Sequence, residues 1–229
     1  MDKSLLDSLA AIVGEENVRP LEPLAPHTTF KIGGPADAFV SPRSVEEVSQ
    51  VVLACEQASV LWRVIGCGSD LLVSDAGVEG VVIEVRDNLS AIRMDGTRVV
   101  AGAGATNAAV AEAACAAGLS GYEFACGIPG TVGGAAIMNA GAYDGEFSQV
   151  CACVTCVTPE GRIVEVPREE AEWSYRHSMF DAARYVVVAA TLELTPADSA
   201  GIKARMDELT AKREAKQPID MPSAGSTFK

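Results

Sequence analysis

Two stretches of this sequence are too rich in glycine to form the interior of a helix or strand, and they constrain everything around them. The first, Gly66-Cys67-Gly68-Ser69-Asp70-Leu71, follows directly on a predicted strand over residues 61–65. The second, Gly127-Ile128-Pro129-Gly130-Thr131-Val132-Gly133-Gly134-Ala135, places four glycines in nine residues. Glycine lets the backbone come close to a ligand, and successive N–H groups in such a loop form an anion nest. Ser69 adds a hydroxyl donor, and Thr131 can cap a short helix. Neither loop is a P-loop, because no Gly-Lys-Ser/Thr follows, and neither fits Gly-x-Gly-x-x-Gly at a βαβ crossover. Two separate loops suit a long ligand with a central pyrophosphate, such as a dinucleotide lying across a seam. A tight turn with no ligand accounts for the first loop as readily.

The surrounding periodicities mix helices and strands without regular βαβ alternation, which predicts an α+β fold. Residues 1–14 read as an amphipathic helix, and Pro20, Pro23 and Pro26 forbid a helix after it. Ser44 is a good N-cap for a helix carrying Val48, Val51, Val52 and Cys55 at helical spacing. Strands are predicted over 81–85, 98–101 and 185–194, with a hairpin of 150–158 and 162–166 around Pro159-Glu160-Gly161. An Ala-rich helix over 106–117 and a charged helix over 197–216 complete the pattern.

Thirty-one acidic against 18 basic residues leave a net charge of −13, a surface that repels nucleic acid and anionic membranes. An anionic small molecule would need local basic groups or backbone amides to outweigh that field. No apolar run approaches the ~20 residues of a membrane span, and no export signal is evident. Seven cysteines without such a signal fit a reducing cytoplasm. Cys151, Cys153 and Cys156 fall in a strand-like run that sends the first two to one face and the third to the other. With two histidines in the chain, buried thiols are the expectation there, and no metal.

Several motifs have a more specific likeness. His27-Thr28-Thr29-Phe30-Lys31-Ile32-Gly33-Gly34-Pro35-Ala36-Asp37, the second glycine loop, Met138-Asn139-Ala140-Gly141-Ala142-Tyr143, Tyr175-Arg176-x-Ser178 and Pro222-Ser223-Ala224-Gly225-Ser226-x-Phe228-Lys229 stand in one order along the chain. In that order they resemble the UDP-N-acetylenolpyruvoylglucosamine reductase family. The resemblance implies an FAD-binding fold of the vanillyl-alcohol oxidase type, in which two α+β subdomains (1–87 and 88–196) grip a non-covalent FAD. Residues 197–229 would then begin a substrate-binding domain. It also implies that NADPH reduces FAD and that the flavin reduces the enolpyruvyl group of a UDP-sugar in the cytoplasm.

Residue by residue, the resemblance gives the cofactor to Gly66, Gly68, Ser69, Asp70 and Leu71, and to Gly127, Ile128, Pro129, Gly130, Thr131, Gly133, Gly134 and Ala135. Arg176 takes the place of the family's arginine and Ser226 that of its proton donor. Tyr175 and Lys229 are expected to bind substrate, and Lys212, Arg213 and Lys216 form a local basic cluster. Asp70 departs from the family's usual Asn, and a carboxylate beside a pyrophosphate is unfavourable unless it turns outward. The family carries a catalytic glutamate beyond the Phe-Lys motif. The resemblance therefore implies a C-terminally truncated chain that binds FAD weakly and turns over poorly. A flavin oxidase anchored covalently through Cys67 and a non-catalytic nucleotide-binding remnant are the competing expectations.

Overall fold

The computed structural model describes residues 1–225, so two expected site residues, Ser226 and Lys229, lie outside the described residues. The chain opens with α1 (Lys3–Val13), capped by the Asp2 carboxylate, which accepts from the Ser4 N–H. Leu5, Leu9 and Val13 recur every fourth residue and so form one buried stripe. There follow β1 (Val18–Pro20), β2 (Ala36–Val40), α2 (Val45–Gln57), β3 (Trp62–Ile65) and β4 (Val78–Glu84). Ser44 caps α2, its hydroxyl accepting from the Glu47 N–H at 3.2 Å. The four strands make one sheet in the order β1-β2-β4-β3, antiparallel at β1/β2 and parallel elsewhere. Strand alternation sends Ala38, Val40, Val81 and Ile83 into the core that holds α1 and α2. Phe39 and Val82 go to the other face, against Leu24 and Ile65.

The chain continues through β5 (Ile92–Asp95), β6 (Arg98–Gly102), α3 (Asn107–Ala116), β7 (Leu119–Ser120), α4 (Val132–Ile137), β8 (Gly141–Ala142), β9 (Gly145–Glu146) and α5 (Phe147–Val150). Then come β10 (Cys151–Val157), β11 (Ile163–Pro167), α6 (Met179–Ala182), β12 (Val186–Glu193), β13 (Thr195–Pro196) and α7 (Ser199–Glu214). A second, wholly antiparallel sheet has the order β11-β10-β12-β6-β5. Its central strand β12 buries Val186, Val187, Val188, Ala190 and Leu192, and α4 lies across it. The fold class is α+β, as expected. Among the described residues no helix is long and apolar enough to cross a membrane.

One local expectation is corrected. The pairing of β10 with β12 shifts register at Cys151/Cys153 and again at Thr155/Cys156. The simple alternation therefore fails: Cys151 and Cys156 are both buried in the main core, while Cys153 is only half-buried. The charged helix expected over 197–216 is α7, which buries Ile202, Met206 and Leu209 and lies against α3 and β7.

Candidate active site

The two glycine loops face each other across a cleft of about 610 Å³. Gly66, Gly68, Ser69, Asp70 and Leu71 form one wall; Ile128, Pro129, Gly130, Thr131, Gly134 and Ala135 form the other. The walls touch. A Cβ on Gly66 would lie 2.5 Å from the Thr131 Oγ1, and one on Gly130 would lie 2.7 Å from the Ser69 Oγ. The Ser69 hydroxyl donates to the Pro129 carbonyl at 3.2 Å, tying the loops together. The first loop is backed by the segment that starts at His27. Gly68 sits at φ +60°, where a Cβ would come within 2.3 Å of the His27 carbonyl oxygen, and the Thr29 N–H donates to the Gly68 carbonyl. That motif is thus a buttress behind the loop.

Which amides face the cleft follows from where the others are spent. On the second loop, the Val132 and Gly133 N–H groups donate to the Ala105 and Ala103 carbonyls, both at 2.9 Å. The Gly134 N–H goes to the Thr131 hydroxyl, which caps α4 as expected. The first turn of α4 therefore has no amide left for an anion, contrary to the simple reading of its glycines. Gly133 is committed to packing, since a Cβ there would lie 3.0 Å from the Ala103 Cβ. Gly127 lies off the main cleft, in an adjoining recess of about 540 Å³ under Arg213.

What remains is a coherent set. Among the described residues, no hydrogen bond takes up the backbone N–H groups of residues 67–71, nor those of Gly130 and Thr131. Such unspent donors are free to take water or a ligand as a partner. An extended anionic ligand spanning both loops supplies one, and this is the observation by which the site fits the diphosphate of FAD.

The cleft is also lined by Met138, Gly141, Tyr143, Arg176, Arg213 and Lys216, among others. Three backbone positions here are unusual for non-glycine residues: Asn139 (φ 42°), Tyr143 (φ 51°) and Arg176 (φ 55°). Such conformations cost about 1 kcal/mol each and gather at functional sites. Arg176 stands on a turn closed by reciprocal Ser174/His177 backbone hydrogen bonds, with its guanidinium 5.0 Å from the Tyr175 ring centroid. Buried Asn139 fixes that turn, donating to the Ser174 carbonyl at 3.2 Å while accepting from the Ser148 N–H at 2.9 Å. Tyr143 and Asp144 make a hairpin turn with both φ positive, a place usually held by Asn-Gly, which hid the β8–β9 hairpin in the sequence.

The basic cluster divides. Lys212 pairs with Glu208 along the helix face, whereas Arg213 and Lys216 reach the cleft. With Arg176 they set three cations against Asp70 and Asp181, so the lining carries the opposite sign to the whole chain. Asp70 itself is exposed and leans toward Gly225, where a Cβ would lie 3.2 Å from its Oδ1. Tyr175 is 61% exposed and is not part of the cleft lining. Cys67 does line the cleft, but burial raises its thiol pKa and makes it a weaker nucleophile.

Residues 36–167 match the FAD binding domain family. The chain is 43% identical to the UDP-N-acetylenolpyruvoylglucosamine reductase of Clostridium novyi (strain NT), over 96% of this chain and 72% of that protein. Its structure superposes on the crystal structure of the corresponding reductase from Thermus caldophilus with a TM-score of 0.79 and 32% identity, covering 91% of this chain and 73% of the other. A glucose dehydrogenase shares the fold at a TM-score of 0.68 and 17% identity, over 86% of this chain and 45% of its own. With its paired loops and this similarity along nearly its whole length, the chain belongs to the UDP-N-acetylenolpyruvoylglucosamine reductase family of FAD-dependent oxidoreductases.

Proposed function

We propose that this protein reduces the enolpyruvyl ether of UDP-N-acetylglucosamine to the lactyl ether of UDP-N-acetylmuramate, a step of peptidoglycan synthesis, with NADPH as the hydride source. The observation that carries the reading is the single cleft that brings both glycine loops, with their unspent amides, together with Arg176. Bound FAD supplies the hydride transfer from the nicotinamide to the vinyl carbon. The chain's own residues do the rest.

A vinyl ether accepts hydride poorly unless the negative charge developing beside its carboxylate is held. The Arg176 guanidinium is always charged and can fork onto that carboxylate, with its turn fixed beforehand by Asn139. The Ser226 hydroxyl then delivers a proton to the carbon bearing the carboxylate. It follows Gly225, which lines the cleft. Arg213 and Lys216, with Tyr175 and Lys229, are the groups we assign to the substrate's phosphates and sugar. Residues 1–87 and 88–196 are proposed as the two cofactor-holding units, each supplying one sheet and one loop, and 197–229 as the entry to substrate binding.

The test is a stepwise anaerobic experiment. NADPH should bleach the flavin absorbance, and the enolpyruvyl UDP-sugar should restore it with formation of UDP-N-acetylmuramate. Bleached flavin that the UDP-sugar leaves unchanged would contradict the proposal.

A further inference from the structure

The direction of the Thr131 N–H is set by the preceding peptide, and a buried polar pair outside the loop holds that peptide. Asn107, at the start of α3, is 1% exposed. Its backbone N–H donates to the Gly130 carbonyl at 3.2 Å. Its side-chain Nδ2 donates, at 3.4 Å each, to the carbonyls of Ile128 and Gly130. The Asn107 Oδ1 in turn accepts from the hydroxyl of Tyr122 at 2.8 Å, and Tyr122 is also 1% exposed. The tyrosine ring is locked edge-on against Phe124 and Phe147, at 5.4 and 6.4 Å between centroids.

In a trans peptide the carbonyl and the following N–H point in opposite directions. Pulling the Gly130 carbonyl toward Asn107 therefore turns the Thr131 N–H away from α3. The bridge between Thr106 and Thr131 has the same effect, since the Asn107 and Val132 N–H groups make its hydrogen bonds and Thr131 faces outward. Thr131 lines the cleft.

We propose that Asn107 and Tyr122 are positioning residues for the cofactor's diphosphate, holding the Gly130–Thr131 peptide so that its N–H meets a phosphate oxygen. The proposal rests on the FAD reading of the cleft. Asn107 lines the cleft and Tyr122 does not, but in this role neither acts by touching FAD; the hydroxyl fixes the amide, and the amide fixes the loop.

The test titrates wild type, Tyr122→Phe and Asn107→Leu with FAD by quenching of flavin fluorescence, and records phosphorus NMR of the bound cofactor. Folding is checked by circular dichroism. Both variants should bind FAD about tenfold more weakly, the loss of one aligned charge-assisted hydrogen bond. Their bound diphosphate resonances should move toward those of free FAD, which a general loosening of the core would not select. Equal affinity and unmoved phosphorus resonances in folded variants would overturn the positioning role while leaving the FAD reading intact. Failure of the wild type to bind FAD at all would overturn both. If either variant does not fold, the wild-type proton–nitrogen NMR spectrum decides. The Thr131 amide resonance should shift on adding FAD or ADP, and one that stays in place with bound ligand contradicts the proposal.

Discussion

Gly66 and Asp70 stand four positions apart in one loop and illustrate opposite constraints on a single wall. At Gly66 the constraint is steric. The nearest atom to an added methyl, the Thr131 Oγ1 at 2.5 Å, is committed to capping α4 and cannot yield without loosening that helix. Gly66→Ala is expected to weaken FAD binding by about tenfold or more, equivalent to at least ~1.4 kcal/mol, as read by fluorescence titration. At Asp70 the constraint is electrostatic. Its carboxylate lies at the rim of a cleft built for an anion, exposed and turned toward Gly225. Removing one such charge at the surface is worth about 1 kcal/mol. Asp70→Asn should therefore tighten FAD about fivefold at low salt, with the gain shrinking as salt screens it. Unchanged affinity across ionic strength would show that Asp70 is too remote to matter. The departure from the family's Asn was visible in the sequence, but the direction of the side chain was not, because it depends on a tail more than 150 residues away.

At the level of elements, the helices and long strands were legible because their signals are local. Ser44, Thr106 and Thr131 cap the helices that follow them, and the apolar spacing of α1 and α2 sets their buried faces. What was not legible depends on partners distant in the chain. The double register shift of β10 against β12 reverses the expected facing of Cys151, and strand carbonyls at Ala103 and Ala105 consume the α4 amides. The buried thiols make a further prediction. Burial pushes Cys55 on α2 and Cys156 on β10 up to about 12, from an ordinary value of 9.0. Their folded pKa values are raised, so the folded state keeps its protons where the unfolded chain loses them. Full stability is then present below pH 9 and is lost as pH climbs from 9 toward 12, by up to ~1.4 kcal/mol per group per pH unit. Urea midpoints should fall steeply over this window, and Cys55→Ala should flatten the slope. A flat profile would contradict the burial of these thiols.

For the whole molecule, two sheets of different construction each contribute one loop to a shared cleft. The mixed sheet delivers residues 66–71 from the end of β3, and the antiparallel sheet carries α4 and the loop before it. Composition alone left a ligand-free turn open for the first loop. The structure sharpens this, because the two loops touch, line one cleft and both keep unspent amides. Arg176 and the split of Lys212 from Arg213 and Lys216 needed the fold, since only packing decides which side of a helix or turn meets the cleft. A covalent link through Cys67 would need its thiolate, which burial disfavours. Acid precipitation of the yellow protein should leave the flavin in the supernatant, whereas colour in the pellet would mark a covalent link.

We propose that one FAD is gripped from both loops at once. Backbone hydrogen exchange, followed with and without saturating FAD, reads it directly. Residues 67–71 and residues 130–131 should slow together at one FAD per chain. Protection confined to one loop, or absent from both while FAD is bound, would contradict the account.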